Sequence, residues 1–330
     1  MEFRKLGTST IEVSAITFGA WAAGGWMWGS TDRKEAVEAI QAAHQEGVTT
    51  IDTAPIYGQG VSEEIVGEAI KGLARDKVQL LTKFGMRWDL DQPQGTFVMN
   101  SQDNQGKDIA IYKYASKASV IKEVEDSLKR LGTDYIDLLQ LHWPDSTTPI
   151  AETMEAMDLL IQQGKIRAAG VSNYNLEQVK EARNTLGIVS NQVPYSMLNR
   201  GIEHELVPYA LANDLSIIAY SPMERGLLTG KYFKTNAFME GDHRSSYFSQ
   251  FDLPKVENFL EEIRPLAEEK RATLAQLVLR WTTLQPAITV TLAGARNARQ
   301  SVANAQAITI ALNADELDFI DRALAKMERN

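Results

Sequence analysis

The 330-residue chain contains no cysteine, which removes disulfides, thiolate nucleophiles and Cys-ligated zinc or iron–sulfur clusters together. Histidine is scarce, with four in all, and no metal-binding set is read from the sequence. No run of roughly 18 apolar residues is present to span a bilayer, so no membrane association is expected. Cations are the minority: 34 Lys and Arg stand against 43 Asp and Glu, for a net charge of −9. That balance repels a phosphate backbone, so no nucleic-acid partner is expected, and an anionic ligand needs a local basic patch. The opening residues MEFRKLGTSTIEV lack the apolar stretch of a secretory signal, and a cytoplasmic protein is expected. The G-x-G-x-x-G fingerprint of an open, doubly wound sheet occurs nowhere, since neither Gly24-Gly25 nor Gly58-Gln59-Gly60 supplies it.

What is present is alternation. After an N-terminal hairpin candidate at 3–13, short apolar segments at 15–19, 49–53, 78–83, 135–142, 168–172, 189–193, 216–221 and 288–293 read as strands. Amphipathic segments at 33–46, 62–74, 117–131, 150–163, 176–184, 204–213 and 298–307 separate them and read as helices. Gly47, Gly164 and Gly187 follow helix ends, where left-handed caps are expected. The seventh unit adds helices at 256–271 and 274–284, and a last helix is expected at 314–329. Strand–helix alternation repeated eight times implies a closed (β/α)₈ barrel of TIM type. No linker or repeat interrupts it, so a single domain over 1–330 is expected, with long loops after strand three (84–116) and strand seven (232–251) as functional candidates.

Active-site groups of such barrels sit at the C-terminal strand ends. Here those ends are polar: Asp52 with Tyr57 beyond it, Lys83, His142, Ser172-Asn173, Gln192 with Tyr195 beyond it, and Tyr220-Ser221. Singly, each has an ordinary explanation as a turn residue, a cap or a solvated strand end. Together they make a proton-transfer group. A phenol releases its proton near pH 10, and a neighbouring ammonium lowers that value, so Lys83 is expected to bring Tyr57 towards neutrality while Asp52 keeps Lys83 charged. His142 is placed to hydrogen-bond a substrate carbonyl oxygen. Such a set suits reversible hydride transfer between carbonyl and alcohol with a nicotinamide.

At this point the residues resemble the aldo-keto reductase family over roughly residues 3–304. Residues 47–58 (GVTTIDTAPIYG) with Ser62-Glu63 resemble its first signature, and 131–145 (LGTDYIDLLQLHWPD) its second, while Leu81-Thr82-Lys83 supplies the lysine. The resemblance implies Asp52, Tyr57, Lys83 and His142 as catalytic residues. It implies cofactor contacts from Gly19, Ala20, Trp21, Asp52, Ser172, Asn173, Gln192, Tyr220, Ser221, Pro222, Met223, Gly226 and Lys231. Residues 294–304 (GARNARQSVAN) resemble its adenosine-phosphate segment, with contacts from Gly294, Arg296, Gln300 and Asn304. Many members carry Arg where this chain has Gln300 and Glu where it has Ala303, so a preference for NADP(H) rests on Arg296, assisted by Arg299 or Lys231, with NAD(H) the alternative.

Trp21, Trp88 and Trp143 join Tyr57 and His142 in the expected substrate pocket, with Trp26-Met27-Trp28 on the same face. An aromatic wall takes an aryl aldehyde or the apolar face of a sugar equally well. The expected activity is NADP(H)-dependent reduction of aldehydes and ketones with Tyr57 as proton donor. The alternatives are a sugar or polyol dehydrogenase working oxidatively, a nucleotide-binding regulatory subunit of low turnover like the family's channel-associated β-subunits, and a Schiff-base lyase using Lys83. Substrate and oligomeric state are not specified by the sequence.

Overall fold

The computed structural model describes residues 1–28, 31–235 and 244–329. Eight parallel strands, Ile16–Gly19, Thr50–Asp52, Gln79–Phe84, Ile136–Leu141, Ile166–Ser172, Ser190–Pro194, Ser216–Tyr220 and Ile288–Ala293, form a closed barrel. The last strand pairs with the first, Thr291 opposite Ile16 and Ala293 opposite Phe18. The antiparallel hairpin Phe3–Lys5/Glu12–Ser14 plugs the end at which the strands begin: the Gly7 amide donates to Ser216 Oγ at 2.7 Å, and Leu6, Ile11 and Val13 are buried there. No helix among the described residues is long and apolar enough to cross a membrane.

Side chains at i and i+2 of a strand share a face, which builds the interior in layers. Leu81, Leu138, Ala168, Ile218, Val290 and Leu292 pack with the hairpin residues as one apolar cluster. Two residues further along the third strand comes Lys83, two along the fourth Gln140 and then His142, and two along the seventh Tyr220. The same alternation that fills the lower barrel with aliphatic groups therefore delivers polar ones to its mouth. Outside, the helices cover the barrel in a second, larger cluster that includes Ile40, Val66, Val124, Leu160, Val278 and Trp281.

The expected barrel strands all form, within two residues at each end. Several other readings need correction. The helix expected at 62–74 is Val61–Ala69, and the chain then turns through Gly72 at φ +89°. The helix expected at 204–213 is a 3₁₀ turn, Gly201–Glu203, followed by Leu206–Ala212. The helix expected at 256–271 begins at Leu253, after Asp252 caps the Lys255 amide. Gly47 and Gly164 lie in the left-handed region, but Gly187 does not: its helix ends at Thr185 with Leu186 extended, so no left-handed cap is required. Most consequential is 84–116, which carries a sheet of its own. Met86–Arg87, Asp108–Lys113 and Thr96–Gln102 form a three-stranded antiparallel sheet whose hairpin turns through Asp103–Gly106. In the second long loop, Tyr232–Thr235 and Arg244–Phe248 are helical, and 236–243 lie outside the described residues.

Candidate active site

Asp52 closes the second barrel strand, Lys83 lies one residue from the end of the third, and His142 follows the end of the fourth. Tyr57 is brought back over the mouth by a turn through Gly58, at φ +68°. A Cβ on Gly58 would lie 2.2 Å from the Gly24 carbonyl oxygen, so this close approach needs glycine. Lys83 Nζ donates to Asp52 Oδ1 at 2.6 Å, to the Thr53 carbonyl at 3.0 Å and to the Tyr57 hydroxyl at 3.3 Å. Both members of the ion pair are buried, Lys83 at 1% exposure and Asp52 at 2%. The His142 ring meets Tyr57 edge to face, with centroids 5.7 Å apart.

The electrostatics differ from expectation at one point. Burial raises the Tyr57 phenol, and the nearby Lys83 ammonium does not fully offset it, so Tyr57 titrates above its ordinary value of 10.0 and is a neutral phenol at pH 7. Lowering by Lys83 alone, the expectation from sequence, neglected desolvation. Burial works against the Lys83 ammonium too, but Asp52 and then Tyr57 outweigh it and Lys83 is raised. Burial, then the Lys83 charge, holds His142 well below its usual 6.5, which leaves a neutral imidazole. The group therefore presents a fixed ammonium, a protonated phenol and a neutral histidine around one space.

Around it lies a hydrogen-bonded rim. Ser172 Oγ donates to the Gln192 carbonyl at 2.8 Å, Asn173 Nδ2 to the His142 carbonyl at 3.0 Å, and the Tyr220 hydroxyl to Asn173 Oδ1 at 2.9 Å. Gln192 Nε2 donates to Asp52 Oδ2 at 2.9 Å. The Ala20 amide bonds the Asp52 carbonyl at 2.8 Å, which ties Gly19-Ala20-Trp21 to the second strand. After Tyr220 the chain runs through Ser221-Pro222-Met223 towards Lys231 with five residues at positive φ, Ser221, Glu224, Arg225, Gly226 and Gly230. Non-glycine residues so held cost about 1–3 kcal/mol each and cluster at ligand clamps. Lys231 is exposed at the end of this loop.

Arg296, Gln300 and Asn304 lie apart from this network. Gln300 Oε1 accepts from the Arg296 amide at 2.9 Å, Asn304 Nδ2 donates to the Gly294 carbonyl at 3.0 Å, and Arg296 reaches the Trp28 carbonyl at 2.6 Å. The helix Ala298–Gln306 starts here under an Asn297 cap, so a helix N-terminus and a guanidinium adjoin, an arrangement suited to phosphate. Gly294 lies beside Gly19 at the ends of the paired last and first strands, where a Cβ would lie 3.4 Å from the Gly19 oxygen.

Of the expected pocket aromatics, Trp21 stacks on Tyr57 at 6.0 Å, and Trp88 joins Tyr57 against Ala54, Ile56 and Ile111. Trp143 carries Lys113 Nζ of the inserted sheet 4.8 Å above its ring. Trp26 donates to Ser101 Oγ at 3.1 Å and so anchors that sheet. Tyr195 does not join the site: it stacks on Trp281 and donates to Glu203 at 2.7 Å. Sequence reasoning passed over Gln140, Thr53 and Arg225. Gln140 was legible two positions before His142, on the same strand face. Arg225, 5.3 Å above the Trp21 ring and 3.7 Å from that of Tyr247, depends on loop geometry that no local pattern announces.

The family model described as Aldo/keto reductase family matches residues 15–325. The aldo-keto reductase YhdN of Bacillus subtilis is 39% identical over 329 residues, 98% of this chain and 94% of that one. A protein of Escherichia coli named NADH-specific methylglyoxal reductase is 36% identical, with 98% of each chain covered. Among solved structures, a glycerol dehydrogenase from Gluconobacter oxydans superposes with a TM-score of 0.88 at 35% identity, covering 99% of this chain and 96% of that one. A closed eight-stranded barrel with an ion-paired lysine beside a tyrosine at its mouth, and a family match over most of the length, lead to one assignment: the chain belongs to the aldo/keto reductase family of oxidoreductases.

Proposed function

We propose that this chain is an NADP(H)-dependent carbonyl reductase whose single domain, 1–330, uses Tyr57 as proton donor. The observation that carries the reading is Lys83 Nζ held between Asp52 Oδ1 at 2.6 Å and the Tyr57 hydroxyl at 3.3 Å. A neutral phenol touching a buried ammonium holds a proton to give, and the ammonium stabilises the phenolate left behind. His142, neutral, orients the carbonyl oxygen through a hydrogen bond without competing as an acid. Asp52 keeps Lys83 charged, which also disfavours a Schiff-base lyase, since that chemistry requires a neutral amine.

Bound, the nicotinamide supplies the hydride. Ser172, Asn173 and Gln192 would hold its carboxamide and Tyr220 its ring. The loop 221–231 would cover the diphosphate, and Arg296 with the Ala298–Gln306 helix start would take a 2′-phosphate. Trp21, Trp88 and Trp143 line the substrate side with Tyr57 and His142. A second reading, an NAD(H)-linked polyol dehydrogenase, draws support from the relatives named as NADH-specific and as a glycerol dehydrogenase and from Gln300.

Titration with NADPH and NADH, followed by steady-state assays of aldehydes, ketones and polyols with the tighter cofactor, decides between the two. NADPH-linked carbonyl reduction is expected. Tighter binding of NADH with polyol oxidation would replace the first reading by the second, and tight NADPH binding without turnover of any substrate class would leave only a binding protein.

A further inference from the structure

We propose that Gln140 is a positioning residue for the Asp52–Lys83–Tyr57 group, and that through Gln192 it couples the nicotinamide end of the cofactor cleft to the Asp52 carboxylate. This rests on the reading of the site given above.

Asp52 has two oxygens, and the ion pair uses one. Its Oδ2 accepts from Gln192 Nε2 at 2.9 Å and from Gln140 Nε2 at 3.3 Å. Gln192 Nε2 also lies 3.4 Å from Gln140 Oε1, so the two amides and the carboxylate close a ring of hydrogen bonds. Gln140 is fully buried and Gln192 is 2% exposed. A carboxylate only accepts, so both amide nitrogens must face Asp52, and the orientation of both side chains is fixed by that requirement. An ammonium alone fixes a distance to Asp52 but not the plane of its carboxylate. Two amide donors on the second oxygen fix the plane, and with it the direction in which Lys83 is held towards Tyr57.

The ring has a second consequence. Gln192 spends its donors on Asp52 and Gln140, which leaves its Oε1 outside the ring as an acceptor, the atom a carboxamide N–H needs. A bond accepted there polarises the amide and strengthens its donation to Asp52. Cofactor occupancy is thereby registered at the carboxylate that governs Lys83 and Tyr57, and by linkage the state of Asp52 is registered in cofactor affinity. Gln140 holds Gln192 in the rotamer that permits this.

The test is Gln140→Leu in the full-length protein, with Gln140→Met if the leucine variant does not fold, and Gln140→Glu in parallel. Without the Gln140 donor, Asp52 bears more of its own charge, and that charge favours the protonated phenol. The basic limb of kcat for carbonyl reduction should therefore move to higher pH in Gln140→Leu, whereas in Gln140→Glu the buried carboxyl beside Asp52 holds a proton, still donates, and should keep the limb nearer the wild type. Affinity for NADPH should fall and kcat decrease, each by roughly tenfold, the worth of one hydrogen bond to a charged group. A merely structural glutamine would lower stability and leave the limb in place. An unmoved limb together with wild-type NADPH affinity would overturn the proposal. Tyr57→Phe run alongside separates the two levels: if it is inactive while the Gln140 variants behave as wild type, only the positioning role fails, and if it is fully active the reading of the site itself fails.

Discussion

Replacing Asp52 by Asn keeps the side-chain shape and deletes one charge of a pair that is almost wholly buried. Lys83 Nζ then faces neutral acceptors alone: the amide oxygen at position 52, the Thr53 carbonyl at 3.0 Å and the Tyr57 hydroxyl at 3.3 Å. Stranding one charge of a buried pair costs about 3–5 kcal/mol, whereas removing both charges together is often neutral. Asp52→Asn and Lys83→Met should each therefore lower unfolding stability by about 3 kcal/mol or more, and the double variant should recover most of that loss. The pH dependence carries a sign. In the wild type Lys83 is raised above 10.5, so its contribution is complete below pH 10.5 and is lost as pH rises through the folded value. In Asp52→Asn burial, the largest influence on Lys83, outweighs the support left from Tyr57 and depresses the lysine, so the unfolded state binds a proton that the folded state rejects. Stability of that variant should then rise with pH between 7 and 10. Urea unfolding of the four proteins across this range measures both effects. Single variants each costing under about 1 kcal/mol and adding in the double would refute the coupling.

Other substitutions probe separate parts of the account. His142→Ala should lower kcat about 100-fold through loss of one donor to the developing negative charge. Because His142 is held well below 6.5, the wild-type kcat profile should show no histidine limb near pH 6.5, and such a limb, abolished by the substitution, would contradict the neutral imidazole. Arg296→Leu should weaken NADPH binding by roughly tenfold or more and leave NADH unchanged, read by fluorescence titration; equal losses for both would remove Arg296 from the 2′-phosphate. Glu123 is buried, accepts from the Gly85 amide at 2.9 Å and from Ser119 at 3.1 Å, and is pushed up to about 7 by burial. Its raised value means that stability is lost between its ordinary 4.5 and about 7 as pH rises, by at most about 3 kcal/mol. Glu123→Gln should flatten that slope in denaturation curves at pH 5 and 8. Gly58→Ala places a methyl against the Gly24 carbonyl and should cost about 2 kcal/mol or more, with activity falling alongside as the Tyr57 turn shifts.

The barrel was legible because its strands are buried on both faces and read as short apolar runs between turn residues, as at 136–141 and 216–220. The catalytic candidates were legible because the strand period carries Leu81 to Lys83 and Leu138 to Gln140 and His142 on one face. The inserted sheet was not. Thr96–Gln102 is an edge strand with Phe97, Val98 and Met99 exposed, so burial imposes no clean alternation on it, and the Asp103–Gly106 turn is its one local signal. The charge beside Tyr57 can be read from sequence, whereas the desolvation that outweighs it depends on Trp21, Trp88 and His142 arriving from three other loops. Gly187 shows the converse limit: a glycine after a helix fits a left-handed cap, yet Leu186 had already ended the helix in an extended conformation.

The central claim is that the Tyr57 hydroxyl delivers the proton. Tyr57→Phe removes that oxygen and keeps the ring that stacks on Trp21 and meets His142. Single-turnover reduction of an aldehyde by the variant saturated with NADPH, beside a titration of its NADPH affinity, tests the claim directly. The expected rate is at least about 100-fold lower, the usual worth of general-acid catalysis, with cofactor affinity unchanged. An undiminished rate at full cofactor occupancy would contradict it.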